Sequence, residues 1–121
     1  MNIKDILHWR AKRKFSKSPE RRLKIYDKIR SLVSNSMTIN QVINKLLARK
    51  KPSDYYRDPE TAFLSNISEG YRKGYSFADT IRGWGEAGEI MLIRSGEETG
   101  KIDSALRRTI DMMTKMIAMK K

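Results

Sequence analysis

The stretch Glu89-Ile-Met-Leu-Ile-Arg-Ser-Gly-Glu-Glu-Thr-Gly-Lys-Ile-Asp-Ser-Ala-Leu106 decides the fold, because it holds the end of one helix, a tight turn and the start of the next. Apolar residues recur at helical spacing on both sides of Gly96 and Gly100. Glycine readily adopts the left-handed conformation with which many helices end. The stretch therefore predicts two helices that return against each other, joined by an acidic turn at 97–99.

The rest of the chain continues this helical pattern and shows no convincing strand alternation. Capping patterns mark four further helix starts: Ser18-Pro19-Glu20, Thr38-Ile-Asn-Gln41, Asp58-Pro59-Glu60 and Ser76-Phe-Ala-Asp79. Each predicted helix has a single apolar face, so the helices must bury these faces against one another. We predict an all-α fold: a six-helix antiparallel bundle of three helical hairpins over residues 18–121, preceded by a short basic amphipathic segment at 1–17.

Three residues within this pattern have more specific expected roles. Gly70 lies inside a helix, where its small size allows close contact with another helix. Gly74 fits the left-handed cap that ends the same helix. Trp84, between two glycines in a connector, is expected to close the edge of the core.

Composition excludes several functional classes. The chain has no cysteine and one histidine, His8, which excludes disulfides and an ordinary zinc site. We expect His8 to lie at the surface, and no spacing predicts a catalytic pair or triad, so the chain is predicted not to be an enzyme. Neither a signal peptide nor an apolar run of about 20 residues is present, which predicts a soluble chain.

Positive charge is concentrated at the beginning of the chain. The net charge is +12, and residues 1–30 hold 11 basic and 3 acidic residues, whereas residues 58–104 hold 5 basic and 9 acidic ones. The basic end could face phosphate, an anionic membrane or an acidic partner, or it could be a solvated surface. Tyr55 and Tyr56 lie beside Lys50, Lys51 and Arg57, a combination found in nucleic-acid sites and also in ordinary interhelix loops.

The turn at 96–102 superficially imitates a phosphate-binding loop, but it fails that test. The Walker A pattern G-x-x-x-x-G-K-[ST] follows a strand. Here the spacing between Gly96 and Gly100 is one residue short, two carboxylates stand where phosphate would lie, and Ile102 replaces the hydroxyl residue. Glu97, Glu98 and Asp103 could instead attract a calcium ion, although the pattern favours a solvated acidic turn or salt-bridge partners.

Two motifs together resemble a known family. Gly74-Tyr-Ser-Phe-Ala-Asp-Thr-Ile81 is similar to the G-x-S-[LF]-x-x-[AT]-[LI] segment of inner-membrane platform proteins of type IV pilus and type II secretion systems, the secretion F-domain family. Gly96-Glu-Glu-Thr-Gly-Lys-Ile102, with Leu106 following, resembles the family's G-E-x-[ST]-G-x-[LI] turn. The usual glycine of the first interhelix turn and the F-P before the fifth helix are absent. These departures fit a divergent pilus member, such as one of a type IVb system.

The resemblance implies a cytoplasmic scaffold domain at the bacterial inner membrane, belonging to a multi-pass protein of which this chain is the soluble part. It implies contact with the assembly ATPase and with other inner-membrane components of the machine, and no enzymatic activity. Family domains are often dimeric, and some bind calcium at the dimer interface, which makes Glu97 and Glu98 the candidate ligands that the resemblance implies.

We predict two partner-binding surfaces within this interpretation. One is the acidic turn at Glu97 and Glu98. The other is a basic set, which could also meet an anionic membrane: Arg10, Lys12, Arg13, Lys14, Arg21 and Arg22. The alternative function is that of a small basic helical nucleic-acid-binding protein, which predicts binding that weakens steeply with salt.

Overall fold

A computed structural model describes residues 2–120, and within this range every regular element is a helix. The all-α prediction is therefore confirmed. The helices are α1 (Ile3–Ser16), α2 (Pro19–Val33), α3 (Ile39–Leu47), α4 (Asp54–Arg57), α5 (Pro59–Arg72), α6 (Phe77–Thr80), α7 (Ala87–Thr99) and α8 (Ile102–Met119). None of these helices is long and apolar enough to cross a membrane.

The predicted caps begin four of these helices. The side chains of Ser18, Asp58 and Ser76 each accept a hydrogen bond from the backbone N–H three residues later, at 3.3, 3.0 and 3.2 Å. Thr38 and Gln41 form both bonds of a capping box, each side chain accepting from the other residue's backbone N–H. Local side-chain chemistry thus sets the starts of α2, α3, α5 and α6.

Within residues 2–120 the structure has eight helices, two more than predicted: the single-turn α4, and α1 in place of the short N-terminal segment. Residues 3–16 form a helix of 14 residues that packs against α4, α5 and α2. Its Ala11 and Phe15 are buried, and the Phe15 ring stacks on Phe63 with 4.2 Å between ring centroids. The predicted division at residue 17 therefore separates two parts that share one core.

The packing of the helices also differs from the predicted arrangement of three helical hairpins. Helices α7 and α8 pair as predicted, and α2 contacts α3, but α2 has its more extensive contact with α8. Helix α3 packs on α5, and α6 links α5 to α7. The contact between α2 and α8 brings the beginning of the predicted bundle against its end.

Trp84 closes one edge of the core and contacts the aromatic rings inside it. Its side chain is buried, and its ring makes edge contacts with Phe15 and Phe63 at centroid distances of 5.9 and 5.7 Å. Tyr26 makes a further edge contact with Phe63 at 6.3 Å. The predicted role of Trp84 is confirmed, and the connector that carries it is fixed to the core by this ring.

Glycines act in two ways. Gly74 and Gly100 have φ angles of 88° and 70°, the left-handed conformation predicted for the ends of α5 and α7. Gly96, predicted to open the acidic turn, instead lies inside α7, which continues to Thr99. A Cβ atom at Gly96 would lie 2.3 Å from the Cβ of Ala105, so its small size permits the close approach of α7 and α8. The same holds at Gly70, where a Cβ would lie 2.3 Å from a side-chain carbon of Thr80.

Candidate functional site

The predicted basic set divides into exposed and buried members. Arg10, Arg13 and Lys14 are exposed on α1, and Arg21 is exposed on α2. Lys12 is partly buried, with its ammonium 5.3 Å from the centre of the Trp84 ring. The four exposed cations are available to a partner, whereas Lys12 covers the tryptophan of the core edge.

Arg22 corrects the prediction of a single basic surface. Its side chain is 1% exposed, and its Nε donates to the carboxylate of Glu89 at 2.9 and 3.2 Å. The guanidinium also donates to the backbone carbonyls of Phe15 and Ser16 at 3.2 and 2.8 Å. A partner at the protein surface cannot reach this group, and its contacts tie α2 to the end of α1 and to α7.

Glu89 completes this buried polar cluster. Its carboxylate accepts a hydrogen bond from the Tyr26 hydroxyl at 2.9 Å and another from the backbone N–H of Glu86 at 3.2 Å. Burial raises the pKa of Tyr26 well above its usual value, and the negative charge of Glu89 and the hydrogen bond to it act in the same direction. The hydrogen bonds that a buried ion pair requires are therefore largely supplied by neighbouring groups.

Glu97 also has a role that the sequence did not reveal. Its two carboxylate oxygens accept the backbone N–H groups of Phe77 and Ala78 at 2.9 and 2.8 Å, at the first turn of α6. These N–H groups have no partner within the helix, and a carboxylate at this position is favoured by the helix dipole. The prediction that both carboxylates of the turn stay open to a cation or partner is therefore wrong for Glu97, whereas Glu98 is exposed.

The candidate calcium ligands do not converge. Glu97 binds the backbone of α6, and Asp103 pairs with Arg107 on its own helix at 3.6 Å. Within residues 2–120, no three His, Cys, Asp or Glu side chains are grouped so as to hold a metal ion. The structure thus gives these three acidic residues separate surroundings.

A second contact links the same two helices as Glu97. Arg94 on α7 donates to the carboxylate of Asp79 on α6 at 2.7 Å. The hydrogen bond from Arg94 lowers the pKa of Asp79, and one involving Ser76 adds to the effect. Asp79 on α6 and Glu97 on α7 thus each contribute a carboxylate to the contact between these two helices.

His8 and the neighbouring pair Tyr55 and Tyr56 lie near the contact of α1 with the rest of the bundle. His8 is partly buried, with its ring edge-on to Trp84 at 5.8 Å, so the prediction of a surface histidine is only partly right. Burial lowers the pKa of His8, and the charge of Lys12 lowers it further. Tyr56 on α4 has the ammonium of Lys4 5.6 Å from its ring centre, so the predicted tyrosine-rich patch adjoins α1.

Sequence reasoning missed the outward apolar residues of α1. The predicted basic amphipathic segment contains the large apolar residues Ile3, Ile6, Leu7, Trp9 and Phe15. The structure separates them: Phe15 is buried and Leu7 partly so, while Ile3, Ile6 and Trp9 are exposed. Projected at about 100° per residue, Ile6 and Trp9 lie about 120° or more from Phe15, which indicates an outward position for these two residues.

Comparison with known proteins gives no family for this chain: no protein-family model matches it, and no curated protein matches its sequence.

Proposed function

We propose that this chain is a non-enzymatic cytoplasmic scaffold domain of an inner-membrane platform protein in a pilus or secretion machine. In this role it couples the assembly ATPase to the assembly of pilin or pseudopilin subunits. The support comes from the two sequence motifs that resemble the platform family and from how their residues are arranged.

The main support for the proposal is the contact between these two motifs. Glu97 is the first glutamate of the G-E-x-[ST]-G-like segment, and Phe77 and Ala78 belong to the G-x-S-[LF]-like segment. The carboxylate of one motif accepts two backbone N–H groups of the other, at 2.9 and 2.8 Å. The two motifs therefore act as one structural unit, which gives a physical reason for them to occur together in a chain.

Spacing within the second motif has a physical reason as well. Gly96 lies against Ala105, where a side chain would clash, and Gly100 adopts the left-handed conformation that ends α7. Glu97 lies between them and reaches α6. Gly96, Glu97 and Gly100 thus each meet a geometric requirement of the α6–α7–α8 unit, while Glu98 and the exposed cations of α1 and α2 stay on the outside for partners.

The test is capture of the assembly ATPase and inner-membrane components from the same cell by the purified chain. We expect wild-type chain to retain the ATPase, and Glu98→Arg or Arg21→Glu to reduce this retention, because each reverses an exposed charge of a predicted surface. Asp111→Arg and Lys45→Glu are the matched controls, since they make the same charge changes at other exposed positions. Failure of wild-type chain to retain any of these components would rule out the proposal.

A further inference from the structure

The outward face of α1 exposes large apolar side chains. Ile3, Ile6 and Trp9 are 71%, 42% and 55% exposed, at successive intervals of three residues. The inward face of the helix already supplies Ala11 and Phe15 to the core. These three apolar residues are therefore surplus to the packing of the bundle, and their contact with water is unfavourable.

Cations continue the same face toward the end of the helix. Residues 3, 6, 10, 13 and 17 follow one another at intervals of three or four, so they form one stripe along the helix. The stripe begins with two isoleucines and continues with Arg10, Arg13 and Lys17, all exposed. Arg13 lies over the Trp9 ring, with its guanidinium carbon 5.4 Å from the ring centre. Within Ile3–Ser16 the single acidic residue is Asp5.

We propose that this face of α1, defined by Ile3, Ile6, Trp9, Arg10, Arg13, Lys14 and Lys17, binds an anionic lipid surface. A helix that lies in a membrane interface buries aliphatic and tryptophan side chains at the boundary of headgroups and acyl chains, and its cations meet the lipid phosphates. The exposed residues of this face supply both components and carry no negative charge of their own. The proposal stands on α1 alone and goes beyond the scaffold role.

Charge and apolar surface together favour lipid over nucleic acid. A phosphate backbone is bound by cations, and bases stack on aromatic rings. Exposed Ile3 and Ile6 serve neither purpose. Moving both side chains from water to the boundary of the acyl chains lowers the free energy. The bundle would lie on the side of α1 opposite the membrane, because Phe15 and Ala11 point into the core.

The experiment is sedimentation of the 121-residue chain with vesicles of phosphatidylcholine, with and without phosphatidylglycerol. We expect binding only to the anionic vesicles, with a shift of tryptophan emission to shorter wavelength as Trp9 leaves water. Trp84 is 2% exposed and should give a constant background. Absence of binding to the anionic vesicles at about 0.1 M salt, where surface charges act over about 10 Å, would overturn the proposal.

Two variants test the two components separately. Arg13→Glu/Lys14→Glu should weaken binding at least about 25-fold, since each cation near an anionic leaflet contributes about fivefold and two are lost. Ile6→Ser/Trp9→Ser keeps the charge and should also reduce binding. Arg108→Glu/Lys115→Glu, at exposed positions of α8, is the matched control for net charge and should retain more binding than the α1 reversal.

Two results would contradict the lipid assignment. One is equal loss in the α1 reversal and the α8 control, which would show that only total charge matters. The other is salt-sensitive binding to single-stranded DNA or RNA that Arg13→Glu/Lys14→Glu abolishes, together with vesicle binding that Ile6→Ser/Trp9→Ser leaves unchanged. That pattern would assign the face to nucleic acid. Circular dichroism of each variant separates these results from loss of folding.

Discussion

The Nε of Arg22 lies 2.9 Å from the Glu89 carboxylate, although the two residues are 67 positions apart in the chain. Their side chains are 1% and 2% exposed. The pair therefore fixes α2 against α7 inside the protein, at a place where an unpaired charge would be very unfavourable.

Arg22→Met is expected to lower the free energy of unfolding by about 3–5 kcal/mol, because it leaves the Glu89 carboxylate buried without its cation. Adding Glu89→Leu should recover part of this loss, since the second change removes the uncompensated charge but leaves the Tyr26 hydroxyl without its acceptor. Urea unfolding followed by circular dichroism measures both. Arg21→Met, at the exposed neighbour, should change stability by no more than about 0.5 kcal/mol. Additive losses in the double variant would contradict this account of the pair.

Glu97→Ala should lower stability by about 1–2 kcal/mol, because α6 loses the acceptors of two backbone N–H groups at its first turn. Glu98→Ala removes the same side chain one position later, where it is exposed, and should have little effect. Amide hydrogen exchange at Phe77 and Ala78 gives a local readout, which should accelerate in the first variant only. Equal stability of the two variants would show that the cap has no energetic value.

Two glycines of α7 should respond oppositely to the same substitution. Gly96→Ala places a Cβ 2.3 Å from that of Ala105 and should cost about 1–3 kcal/mol through overpacking. At Gly88 the nearest atoms are the flexible end of Met112, at 3.4 Å. Gly88→Ala should therefore be neutral or stabilising by up to about 1 kcal/mol, the helix propensity difference. Thermal unfolding compares them, and a loss at Gly88 as large as that at Gly96 would refute the packing argument.

Alkaline pH is expected to destabilise the fold through two tyrosines. Burial raises the pKa of Tyr26, with the charge of Glu89 as the next cause, and burial followed by the charge of Glu97 raises that of Tyr71. Because the folded state keeps these protons to higher pH than the unfolded state, their stabilising effect is complete below pH about 10 and is lost as the pH rises further.

The measurement is phenolate absorbance recorded alongside circular dichroism as the pH is raised. Two of the five tyrosines should ionise together with unfolding. Tyr26→Phe and Tyr71→Phe should each remove one of these late phenolates. Ionisation of both tyrosines in a chain that is still folded would contradict the expected pKa shifts.

Local signals account for the parts of the fold that the sequence predicted. Caps such as Ser18, Thr38 and Asp58 depend on residues within one turn, so they can be recognised without knowledge of the tertiary structure. The packing of α2 on α8 could not be predicted in this way. It depends on which apolar faces match across distant parts of the chain.

Site residues show the same limit. Arg22 and Glu97 look like exposed charges in the sequence, because their partners lie 67 and about 20 positions away. Nothing in the local pattern distinguishes Arg22 from the exposed Arg21. By contrast, the outward position of Ile6 and Trp9 follows from helical geometry once Phe15 is placed inside.

The reach of Glu97 to α6 has a consequence for sequence divergence. Positions 77, 78 and 97 share one interaction, but only position 97 contributes a side chain to it, so substitutions at 77 and 78 that preserve the backbone leave it intact. Replacing the acid at position 97, by contrast, removes the interaction. A descendant chain that loses this acid must place another hydrogen-bond acceptor near the start of α6 or shorten that helix. Phe77 and Ala78 are both buried, so variation at 77 and 78 should be limited by core packing, whereas variation at 97 should be limited by this contact itself.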